Sequence, residues 1–110
     1  NLHFIDLGAH VGIYTMYVAA LGRFVLSVDC FRPNLVRLRH AIQLTKMNDR
    51  VVLVNNAIHS QSGQHLRLAL NTKNIGGQGL YVIKNRSNRS LASAQLSGNH
   101  SYIVKTIRFD

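Results

Sequence analysis

The opening of the chain constrains its fold more than any other segment. Leu2 to Leu7 is a short apolar run ending on Asp6 and Leu7. It passes directly into Gly8-Ala9-His10-Val11-Gly12, and then into a second apolar run, Ile13 to Leu21. A short apolar run bounded by a turn reads as a buried strand. The longer run is apolar nearly all round, as expected of a helix packed tightly on a sheet. Gly22 supplies a helix stop. A strand, a glycine-bounded turn and a helix in immediate succession is how a parallel α/β sheet begins, because parallel neighbours need a crossover connection.

The pattern then repeats. Phe24 to Val28 is a second apolar run, ending at Asp29. Pro33 suits the first turn of a following helix. Leu35, Leu38, Ile42 and Thr45 trace one helical face, supported by Ala41, while Arg37, Gln43 and Lys46 are placed to face water. Asn48-Asp49 signals a turn, and Val51 to Val54 is a third strand. Strand, helix, strand, helix, strand with short connections predicts a parallel sheet with right-handed crossovers. The expected fold is therefore α/β, a Rossmann-like doubly wound domain.

Beyond Ala57 the pattern changes. His65 to Leu70, Leu80 to Ile83 and Tyr102 to Phe109 read as further strands, separated by the Gly-rich loop Asn74 to Gly79 and the polar stretch Asn85 to Ser101. This half is expected to be antiparallel. The 110 residues suffice for one domain. The chain opens on a strand without an initiator Met, and is expected to be the incomplete first part of a doubly wound domain, truncated before its fourth parallel strand. On its own it is then expected neither to catalyse nor to fold stably, because the first strand would lack one neighbour.

Composition narrows the classes. Hydrophobic residues make up 46%, which excludes a disordered segment. No apolar stretch approaches the roughly 20 residues needed to span a bilayer. Lys and Arg number 13 against 4 acids, all of them Asp. No dense basic run interleaves with aromatics, so the excess is read as balanced elsewhere in the polypeptide, and nucleic acid is not the expected partner. Cys30 is the sole cysteine and the six histidines are scattered. One thiol makes neither an internal disulfide nor a zinc site, so no metal is expected.

Ligands of doubly wound folds bind outside the carboxyl ends of the strands. Asp6, Gly8, Ala9, His10 and Gly12 follow the first strand end; Asp29, Cys30 and Phe31 the second; Asn56 and Ala57 the third. Gly8 lets backbone approach a ligand, and Gly12 lets the helix start close to its strand. Asp29 lies 21 residues beyond Gly8, near the ~20 expected of an acid that grips a ribose diol. It is expected beside solvent. Asn56 offers a donor and an acceptor to an adenine edge, and Cys30 and Phe31 either flank the adenine or belong to the core. A dinucleotide fingerprint from Gly8 would need glycine at 10 and 13, where His10 and Ile13 stand. Pyrophosphate is thereby disfavoured, and S-adenosylmethionine, whose ammonium Asp6 could neutralise, is the cofactor that suits the loop.

Three blocks carry a family likeness: Phe4-Ile-Asp-Leu-Gly-Ala-His-Val-Gly-Ile-Tyr-Thr15, Ser27-Val-Asp-Cys-Phe-Arg-Pro-Asn34 and Arg50-Val-Val-Leu-Val-Asn-Asn-Ala57. Together with the Gly-rich stretch and the closing Val104-Lys-Thr-Ile-Arg-Phe-Asp110, they resemble the FkbM-type methyltransferases, of the class I methyltransferase fold. The resemblance implies O-methyl transfer from S-adenosylmethionine to a hydroxyl of a small-molecule or glycan acceptor. It implies that Asp6, Gly8 and Gly12 hold the methionine end, Asp29 the ribose, and Asn56 and Ala57 the adenine side. His10 stands where Asn is expected, Asp29 where Glu is commoner and Cys30 where Pro is common. The family's Asp-x-Glu-Gly segment is not in the chain, so no catalytic residue can be named.

The alternative is a catalytically degenerate Rossmann-like module that binds a nucleoside or nucleic acid. Asn85-Arg-Ser, Asn88-Arg-Ser and Asn99-His-Ser are glycosylation acceptors in form, a pointer to the secretory pathway that chance in Asn- and Ser-rich loops also explains.

Overall fold

The computed structural model of the chain describes residues 3–69, 79–82 and 102–110. They fall into two compact units, Asn1–Asn56 and Ala57–Asp110. The first unit is the expected alternation: β1 (Phe4–Leu7), α1 (Ile13–Ala20), β2 (Val25–Val28), α2 (Arg32–Leu44) and β3 (Val51–Val54). Its sheet has the order β1-β2-β3, parallel throughout, with Asp6 opposite Ser27 and Ser27 opposite Leu53.

Side chains alternate across such a sheet, which gives its two faces different fates. Phe4, Asp6, Val25, Ser27, Val51 and Leu53 share one face by register. Both helices lie there. Thr15 of α1 reaches Asp6, and Leu38 and Ile42 of α2 form a core with Ala9, against which Met16, Met47, Val51 and Leu53 pack. The other face carries Ile5, Leu7, Leu26, Val28, Val52 and Val54, all aliphatic. Ile5, Leu7 and Val52 are about half exposed or more. A wholly apolar second face is what a parallel sheet buried on both sides requires. The edge that each outer strand turns to β2 follows from the ladder ends: Phe4 N–H donates to the Phe24 carbonyl, and Val25 N–H to that of Arg50. By alternation, the backbone groups of Ile5 and Leu7 face away from β2 on one edge, and those of Val51 and Leu53 on the other.

The helices depart from expectation in detail. α1 was expected to pack closely over most of its surface. Only Thr15 and Ala19 are buried, while Ile13, Tyr14, Tyr17 and Leu21 stand well exposed. In α2, Leu35, Leu38 and Ile42 form the buried stripe as expected, with Asn34. Thr45 is not part of it. It is exposed at the helix end, where its hydroxyl and its own N–H both donate to the Ala41 carbonyl, at 2.7 Å and 3.0 Å. Pro33 sits in the first turn, where its missing N–H costs nothing.

The second unit comprises β4 (Ala57–Ile58), β5 (His65–Ala69), β6 (Gly79–Val82) and β7 (Tyr102–Ile107), in the order β4-β7-β5-β6. The three expected strands are present and pair antiparallel through β5. The sheet is nevertheless mixed, because the short β4 pairs parallel with β7. β5 alternates, with Leu66 and Leu68 buried. Thr106 is buried on β7, where its hydroxyl accepts from the Gln64 N–H at 2.9 Å and donates to the Gln61 carbonyl at 2.7 Å. The Gly-rich loop before Gly79 and the three glycosylation triplets lie outside the described residues.

Candidate functional site

The turn after β1 is built on its glycines. Gly8 and Gly12 both hold positive φ, 77° and 87°, and His10 joins them at 52°, a region that costs an ordinary side chain about 1–2 kcal/mol. The Val28 carbonyl accepts from the Gly8 N–H at 2.8 Å and the Ala9 N–H at 3.0 Å, and Gly12 N–H donates back to Ala9 at 2.8 Å. The two glycines do different work. A Cβ on Gly8 would meet nothing within 4 Å, whereas one on Gly12 would lie 2.8 Å from Leu38 Cδ2 and closer still to Cδ1. Gly12 therefore serves the packing of α1 against α2. Gly8 leaves open space at the strand end.

Asp29 stitches this turn to the next one. Its Oδ2 accepts from the His10 N–H and its Oδ1 from the Phe31 N–H, each at 2.7 Å. The side chain was expected beside solvent; it is 8% exposed. An aspartate is short enough to reach both backbones from the strand end. Each oxygen still has a second lone pair for a ligand hydroxyl. Asn55 extends the tie to β3, its amide donating to the carbonyls of Asp29 at 3.0 Å and Cys30 at 3.2 Å. Asn55 was not among the expected residues. The only signal in the sequence was its position just past a strand end.

Asp6 is also buried, at 8%. Thr15 donates to its Oδ2 at 2.6 Å, and Ser27 lies 2.6 Å from Thr15. Asp6, Gly8, Ala9, His10, Gly12, Asp29, Cys30 and Phe31 thus meet at the carboxyl ends of β1 and β2. Within that group Ala9 is a core residue, packed with Leu35, Leu38 and Ile42. Phe31 is buried at the start of α2. Cys30 is half-buried, and burial first, then the adjacent Asp29 carboxylate, push its thiol above the ordinary value. Asn56 follows β3 and Asn55. Ala57 opens β4 of the second unit, where it is buried.

The electrostatics run against the rest of the chain. Asp6 and Asp29 are two buried carboxylates on adjacent strand ends, and among the described residues neither has a cationic partner; the ion pairs are Arg50–Asp49 and Arg108–Asp110. Hydroxyl and amide donors hold them instead. The exposed cations of α2, Arg32, Arg37 and Arg39, have no acid in their own helix. Among the described residues no group of three or more His, Cys, Asp or Glu could hold a metal ion, and no helix is long and apolar enough to cross a membrane.

Comparison with models of known protein families and with curated protein sequences returns no match. What stands is an α/β chain with a Rossmann-like parallel β-α-β-α-β unit and a mixed sheet.

Proposed function

We propose that this chain is the cofactor-holding part of an S-adenosylmethionine-dependent methyltransferase of the FkbM type, acting on a hydroxyl of a carbohydrate-like or small-molecule acceptor. One observation carries the reading: in a chain of net charge +9, the open strand-end site holds two buried carboxylates without a cation. Burying charge without a partner is costly. A ligand bearing an ammonium and a sulfonium offsets that cost, whereas a pyrophosphate adds to it.

The residues fit such a cofactor. The space beside Gly8 admits a ligand against the backbone. The family resemblance assigns Asp6 to the methionine end, where its carboxylate would take the ammonium. Asp29 offers its remaining lone pairs to the ribose diol while its other lone pairs keep the two turns together. Asn56 and Ala57 remain assigned to the adenine side by the family resemblance. The cofactor supplies an electrophilic methyl on sulfur; this chain's own residues bind and orient it.

Calorimetric titration with S-adenosylhomocysteine, with NAD and with a single-stranded RNA tests the proposal. Binding of S-adenosylhomocysteine that hardly changes with salt is expected. The second reading, a degenerate polyanion-binding module, is favoured only by the exposed α2 cations, and it expects RNA affinity that collapses as salt rises. Binding of NAD alone, or of RNA alone, would sink the methyltransferase reading.

A further inference from the structure

The buried hydroxyls beside Asp6 have a direction that their positions alone do not reveal. An ionised carboxylate only accepts, so the 2.6 Å contact from Thr15 to Asp6 Oδ2 spends the single Thr15 proton. The 2.6 Å contact between Thr15 and Ser27 must then run from Ser27 to Thr15. The result is a one-way relay, Ser27 to Thr15 to Asp6, joining β2, α1 and β1. Thr15 and Ser27 are both fully buried, so no solvent competes for these protons. Successive hydrogen bonds of this kind polarise one another toward the acceptor.

We infer that Thr15 is a positioning residue, fixed in place by Ser27, which holds the Asp6 carboxylate in the orientation that receives a cationic ligand group. The inference rests on the proposed cofactor reading. Thr15 is suited to the task by its place in the first turn of α1, directly after Gly12 has brought that helix against the sheet. Valine there would keep the shape and remove the relay. It would leave the Asp6 oxygen and the Ser27 hydroxyl without their buried partner, and the carboxylate free to rotate.

The test compares two ligands on the full chain: S-adenosylhomocysteine, which carries the amino-acid end, and 5′-methylthioadenosine, which lacks it. In Thr15→Val, affinity for S-adenosylhomocysteine should fall roughly tenfold or more, the scale of a hydrogen bond to a charged group, with 5′-methylthioadenosine little changed. The ratio of the two affinities is the readout, because a loss of folded protein lowers both alike and cancels. Thr15→Ser keeps the hydroxyl and should restore the ratio. An unchanged ratio in Thr15→Val overturns the inference and leaves the cofactor reading standing. Equal wild-type affinity for both ligands also overturns it, since the ammonium would then not be read. If the wild-type chain binds neither ligand, the cofactor reading falls and the inference with it.

Discussion

Gly12→Ala isolates the device that brings the first helix onto the sheet. Two costs apply, and the structure separates them. The backbone holds φ at 87°, which costs alanine about 1–2 kcal/mol. The added methyl would also sit 2.8 Å from Leu38 Cδ2, with Cδ1 nearer, and Leu38 is fully buried in the α2 core, so it has nowhere to retreat. Overpacking of this kind costs about 1–3 kcal/mol more. The total, about 2–5 kcal/mol, is a large part of a net stability of about 5–15 kcal/mol. Gly8→Ala is the internal control: φ is 77° but nothing lies within 4 Å, so the backbone cost of about 1–2 kcal/mol stands alone. Urea unfolding of both variants in the full-length protein, with the slope checked for constancy, measures the difference. Leu38→Ala alone should cost about 2–5 kcal/mol, but combined with Gly12→Ala the sum should fall short by about 0.5–3 kcal/mol, since the methyl then has room. If Gly12→Ala is no worse than Gly8→Ala, or if the pair is additive, the close approach of α1 and α2 at Gly12 is wrong.

Two further perturbations probe the strand-end turns. Asp29→Ala removes two hydrogen bonds to a charged acceptor, each worth about 1.5–3 kcal/mol. It should lower both the unfolding free energy and the affinity for S-adenosylhomocysteine, the latter by roughly 10- to 150-fold; unchanged stability would show that the amides of His10 and Phe31 do not depend on the carboxylate. Cys30 should reach half its maximal rate with iodoacetamide at a higher pH than an ordinary free thiol, because burial and then the Asp29 charge hold the thiol protonated. Asp29→Asn, which removes one of those causes, should move that midpoint down, and a wild-type midpoint at or below that of free cysteine would contradict the burial.

The first half of the chain was legible because its signals are local. Apolar runs of strand and helix length, ended by Gly22, Pro33 and the Asn48-Asp49 turn, place β1 through β3 within a residue or two. The two glycines and two aspartates fall at strand ends, so the site could be located from order alone. The division of labour between Gly8, open to a ligand, and Gly12, at the helix start, was also legible, but the neighbour that Gly12 meets was not: Leu38 lies against it only through the packing of two helices. Thr15 reads as an ordinary helical residue among Ile13, Tyr14 and Tyr17, yet it is the buried one and they are exposed, because the sheet selects one narrow stripe of α1. Asp29 passed for a solvent-facing acid because its partners are backbone amides, which a sequence does not display. β4, with two residues, is too short to carry an alternating pattern, so the parallel pairing with β7 was invisible.

Under the proposed function an adenosyl ligand sits at the carboxyl ends of β1 and β2. Amide chemical-shift mapping during titration with S-adenosylhomocysteine tests it most directly. The expected result is saturable shifts concentrated at Gly8, His10 and Phe31, whose amides lie in the turns joined by Asp29. Shifts confined to the outer face of α2, or no shifts at saturating ligand, would contradict it.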